Sequence, residues 1–112
     1  ATDVGWLAGN IARMRIFANA EDKMNLSVAE TGGEVLVVSQ FTLHASTKKG
    51  NRPSFIRAAA PHHSEPLYEA FCAAMEAEIR KPIARGVFGG NMQVSLTNDG
   101  PVTIVIDSRA KE

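Results

Sequence analysis

The sequence predicts an α+β fold in a single domain, on three observations. Residues 64–80, SEPLYEAFCAAMEAEIR, carry apolar side chains at helical spacing. Residues 34–43, EVLVVSQFTL, contain an unbroken apolar run from Val35 to Val38, short and rich in valine as a buried strand requires. Residues 92–96, MQVSL, and 102–106, VTIVI, are two short apolar runs around the turn formers Asn98, Asp99, Gly100 and Pro101, which reads as a hairpin. Its Gly-Pro pair is an unusual closure, because Pro101 has no N–H to donate and keeps Gly100 out of the helical region.

Taken in order, residues 2–16 predict a first helix. Leu7, Ile11 and Met14 follow i, i+4, i+7 spacing, and Thr2 or Asp3 can cap it, although Gly5 and Gly9 oppose it. Residues 18–33 read as polar and irregular up to the breaker Gly32-Gly33. Residues 34–43 then form a central strand covered on both faces, followed by a basic loop at 45–54, ASTKKGNRPS. In the second helix Ser64 suits the N-cap, and Glu65 and Pro66 suit the first turn. Leu67, Phe71, Met75 and Ile79 form its apolar face, and Pro82 and Gly86 end it. Three strands and two helices make a thin core, so further strands or a partner subunit are expected.

The 112 residues suit one domain. A chain of this size can bury roughly 65% of its unfolded surface, so association would add useful margin. Twelve basic residues balance twelve acidic ones, which argues against nucleic-acid binding driven by net charge and leaves room for a local basic patch. The single cysteine, Cys72, excludes an internal disulfide framework and reads as buried packing in a reducing setting. No apolar run approaches the roughly 18 residues of a membrane span.

Thr42 and His44 lie two apart on the expected strand, which would place both on one face as a possible nucleophile and base. The commoner reading is a strand-end threonine and a solvated histidine. His62, His63, His44 and Cys72 follow no metal-ligand spacing, and neither metal nor other cofactor is expected. The segment RGVFGGNM, 85–92, is not a phosphate loop. Phe88 beside Gly89-Gly90 could stack on a base, although a core phenylalanine is the commoner case. Lys48, Lys49 and Arg52 could hold phosphates, or form an ordinary solvated loop.

Four strings considered together resemble one family, the D-aminoacyl-tRNA deacylases: RIFANAEDKMNLSV at 15–28, SQFTL at 39–43, KKGNRPSF at 48–55 and NMQVSLTNDGPVT at 91–103. The similarity spans nearly the whole chain. It implies a β-barrel-like α+β fold with flanking helices. Family members begin with about 35 further residues, including a first strand, so residues 1–112 would be a single deacylase-like domain that lacks the family's N-terminal strands. The resemblance also implies a cytoplasmic homodimer that hydrolyses the ester of D-aminoacyl-tRNA, and of glycyl-tRNA mischarged on tRNA-Ala. Ser39, Gln40, Phe41 and Thr42 would form the catalytic segment. Gly100 and Pro101, joined by a cis bond, would reach into the partner's site as the chirality filter. Phe88 and Met92 would line an adenosine pocket, and Lys48, Lys49 and Arg52 would contact tRNA phosphates. The rival reading is a catalytically silent RNA-binding module on the same fold.

Overall fold

A computed structural model describes residues 2–111. Helix α1 spans Thr2–Arg13 and is followed by β1 (Phe17–Ala18), β2 (Met24–Leu26), a one-turn helix α2 (Val28–Thr31), β3 (Leu36–Val37), a 3-10 helix at Phe41–His44, the long helix α3 (Pro61–Ile79) and β4 (Ala84–Arg85). The mixed α and β content agrees with the sequence reading. The strands form two separate pairs, antiparallel β1–β2 and parallel β3–β4, with no closed barrel among the described residues.

The core lies where α1 and α2 meet α3. Ala8, Ala12, Val28, Met75 and Ile79 are buried together, with Ile11, Val35, Val37, Phe71 and Ile83 packed around them. On α1 the buried stripe is Ala8, Gly9 and Ala12. The larger Leu7, Ile11 and Met14, expected to face the core, flank that stripe half-buried. Small side chains let the helix approach α3 closely. On α3 the buried positions are Tyr68, Cys72, Met75 and Ile79, so two of the four expected positions shift by one residue.

Helix α3 also starts one turn earlier than expected. Pro61 occupies the first helical position, where its fixed φ and missing N–H cost nothing. Ser64 is therefore inside the helix, and its hydroxyl donates to the Ala60 carbonyl at 3.1 Å. Arg80 closes the helix in the left-handed region, with φ 58°, just ahead of Pro82.

Residues 18–33 are more ordered than expected. Asn19 Oδ1 accepts from the amides of Glu21 (2.9 Å) and Lys23 (3.0 Å), which closes the β1–β2 turn. Ser27 and Glu30 form a reciprocal capping box at the start of α2, and Gly32, at φ 70°, closes its end. The Glu30 carboxyl lies below the ordinary carboxylate range, chiefly because it accepts the Ser27 backbone N–H.

Two strand expectations need correction. Residues 34–43 are not a central strand: only Leu36–Val37 pair, on one side, with β4, and Leu36 is exposed. Residues 92–96 and 102–106 are not hydrogen-bonded strands in this chain. No described strand pairs with them, and Val94, Leu96, Ile104 and Val105 are exposed. The molecule is correspondingly open. Its radius of gyration is 15.7 Å, against about 13 Å for a compact domain of this length. Its accessible surface is 8931 Å², against roughly 6,000 Å² expected from its mass.

Candidate active site

The SQFTL segment leaves β3 and turns at once into the 3-10 helix Phe41–His44. Thr42 and His44 therefore do not project from one face of a strand. The Thr42 Oγ1 accepts a hydrogen bond from Gln40 Nε2. Among the described residues it has no contact with a histidine, carboxylate or lysine that could act as a base. The amides of Phe41 and Thr42 lie in the first turn of the helix, where no intrahelical acceptor exists.

Val38, Gln40 and Phe41 form one wall of a cleft of about 330 Å³. The other wall comes from Gly89, Gly90, Asn91, Met92 and Val94. The parallel β3–β4 pair brings the two walls together, since Gly86 N donates to the Val37 carbonyl at 2.9 Å. The Tyr68 hydroxyl lies 3.2 Å from both the Val37 and Gly86 carbonyls and bridges the two strand ends. Burial pushes its pKa up from the ordinary tyrosine value, with Cys72 adding to the rise and Arg85 opposing it. Arg85 lies over the Tyr68 ring at 4.9 Å and pairs with Glu69. That carboxylate holds the guanidinium above its ordinary value, and the Arg85 hydrogen bond lowers Glu69 in turn. A Cβ at Gly86 would sit 2.8 Å from Met92 Sδ, so a larger residue there would push the flexible Met92 side chain aside.

The site residues expected from the sequence are placed unequally. Gln40, Phe41 and Met92 meet in the cleft. Phe88 does not line it, and its ring packs on Tyr68 with centroids 5.7 Å apart. Ser39 and Thr42 flank the wall, half-buried. Lys48, Lys49 and Arg52 lie on an exposed loop closed by the Ser46–Ser54 bridge. That loop is anchored to the cleft wall by edge-on packing of Phe55 against Phe41, with centroids 5.3 Å apart.

Gly100 and Pro101 are exposed, are joined by a cis peptide bond and do not line this chain's cleft. Asn98 organises their loop: its Oδ1 accepts from Val102 N at 3.0 Å, and its Nδ2 donates to Thr103 Oγ1 at 3.2 Å. The side chain thus closes a turn in which Pro101 has no N–H to offer. Asn98 was legible only as a turn former, and Asn91 and Val94 carried no signal that assigned them to the cleft.

The two motif strings, far apart in sequence, thus meet on one cleft. The family described as D-Tyr-tRNA(Tyr) deacylase matches residues 1–107. The chain belongs to this family. It is 62% identical to the D-aminoacyl-tRNA deacylase of Akkermansia muciniphila over 110 residues, covering 98% of this chain and 73% of that protein. The Opitutus terrae and Flavobacterium johnsoniae proteins of the same description are 61% and 56% identical, with the same coverage. A solved structure described as the c-Myc DNA unwinding element binding protein matches with a TM-score of 0.82 at 36% identity, over 92% of this chain and 70% of that one. No described helix is long and apolar enough to cross a membrane.

Proposed function

We propose that this protein hydrolyses the ester joining a D-amino acid to the terminal adenosine of tRNA, and so frees mischarged tRNA as a chiral proofreading step. The observation that carries the reading is the meeting of SQFTL and the NMQV end of the second motif on one cleft, in a chain of the deacylase family. Ser39, Gln40, Phe41 and Thr42 form the catalytic segment, with main-chain N–H groups of this turn available to a developing oxyanion. Thr42 has its oxygen engaged by Gln40 and no base beside it. Water therefore attacks the ester, assisted by the ribose 2′-hydroxyl of the substrate. Met92, on the cleft wall, receives the terminal adenine, while Phe88 supports that wall from behind through its packing on Tyr68; Lys48, Lys49 and Arg52 meet acceptor-stem phosphates.

Gly100 and Pro101 act on the site of a second copy. Their exposed loop, tied by Asn98, presents main-chain atoms that exclude an L side chain while a D side chain points outward. Exclusion is needed because attractive contacts to one methylene discriminate by only about 1–3 kcal/mol. Glycine has nothing to exclude, so glycyl-tRNA is a second substrate. The large exposed surface and the unpaired runs at 92–96 and 102–106 support a homodimer. They also support a barrel-like sheet completed by further strands that pair with these runs, within one domain. Thr42→Ala is expected to keep most of the hydrolysis rate, whereas tRNA ending in 2′-deoxyadenosine loses it. A folded Thr42→Ala protein slowed by several orders of magnitude would overturn the substrate-assisted mechanism.

A further inference from the structure

Residues 35–64 contain no Asp or Glu, yet hold four of the twelve basic residues and all three histidines. A chain of zero net charge thus carries one strongly positive stretch, and SQFTL lies within it. The basic residues elsewhere are often occupied. Arg13 pairs with Glu78, Arg15 with Asn25 and Arg85 with Glu69. Lys81 donates to the Gly32 carbonyl, and Lys111 covers the Trp6 ring. Among the described residues, the side chains of Lys48, Lys49, Arg52 and Arg57 have no such partner.

Two of the unoccupied polar groups share a second cleft. It has a volume of about 380 Å³ and is lined by Leu43, His44, Ala45, Ser46 and Arg57. It opens at the far end of the 3-10 helix from Gln40 and Phe41, about 8 Å along the backbone at the ~2 Å rise per residue of that helix. A guanidinium forks onto a phosphate, and an imidazole N–H donates to one.

We propose that His44 and Arg57 form a phosphodiester subsite that holds the RNA strand beside the nucleotide whose ester occupies the Gln40–Phe41 cleft. The inference rests on the tRNA reading above and adds two residues that the basic loop does not include. The two ends of the short helix then divide the substrate between them, with the ester held at its start and the incoming strand at its finish.

The test is binding of uncharged tRNA between 50 and 200 mM salt, for the parent protein, Arg57→Gln, the Arg57→Gln/His44→Gln pair, and Arg80→Gln as a charge-matched control outside the stretch. Losing one phosphate contact lowers the log–log salt slope by about 0.7–0.9, so the affinity deficit of Arg57→Gln should be about threefold larger at 50 than at 200 mM salt. The pair should bind more weakly still, and Arg80→Gln should keep the parent slope. A parent slope in Arg57→Gln, or equal flattening in Arg80→Gln, would overturn the subsite, as would a parent protein that binds no tRNA. Because uncharged tRNA carries no ester, failure to hydrolyse D-aminoacyl-tRNA would sink the enzymatic reading without altering this result.

Discussion

At the scale of single residues, the proposed chiral exclusion depends on Gly100. Its φ of +134° lies in the region that favours glycine. A Cβ there would meet Val102 Cγ2 at 3.0 Å and Val102 N at 3.2 Å. Gly100→Ala should therefore cost about 1–3 kcal/mol of local strain and displace the loop that Asn98 holds. The expected result is a folded protein whose deacylation of D-Tyr-tRNA falls at least tenfold, checked by circular dichroism beside the hydrolysis assay. Full activity in Gly100→Ala would remove this loop from the site. Gly100 and Pro101 stood out in the sequence because no ordinary turn explains them. Asn98 did not, because its two hydrogen bonds close a turn that its residue type only permits.

At the scale of elements, the capping box of α2 is the sharpest case. Ser27 is buried and its hydroxyl accepts from Glu30 N at 3.2 Å, while Glu30 Oε1 accepts from Ser27 N at 2.8 Å. Ser27→Ala should cost about 1 kcal/mol in urea unfolding. Glu30 adds a pH signature. Its folded pKa is depressed, so its contribution is present above the unfolded value of about 4.3 and is lost as pH falls through the folded value. The stability gap between the parent and Glu30→Gln should thus exist at neutral pH and close in acid; a gap constant with pH would show that the charge contributes nothing. The string SVAE carried this signature in plain view, but polar composition across 18–33 masked it. The long helix was legible because its periodicity is strong, and its start was misplaced because two prolines, Pro61 and Pro66, competed for the first turn. The strands were harder to place. An apolar run such as 102–106 specifies burial, and whether it becomes a strand depends on which backbone lies beside it.

At the scale of the whole molecule, charge and exposed surface decide function. Net charge is zero, so attraction to tRNA must be local. Reversing Lys48 and Lys49 to Glu should weaken tRNA binding and flatten its salt dependence; an unchanged slope would exclude the loop from the interface. The SQFTL segment was legible as a string and Met92 as a pocket residue, but the partnership with Gly89 and Asn91 was not, because the β3–β4 pair creates it from residues far apart in sequence. The exposed Val94, Leu96, Ile104 and Val105 are the surface a second subunit or further strands would cover, and the proposed chirality filter requires that second copy.

The decisive measurement is parallel hydrolysis of D-Tyr-tRNA and L-Tyr-tRNA by the protein, followed as release of free tyrosine. Chiral exclusion predicts rapid release from the D substrate, and release from the L substrate no faster than in buffer alone. Equal rates on both would contradict the exclusion mechanism, and release from neither would make the protein an RNA-binding module without catalysis.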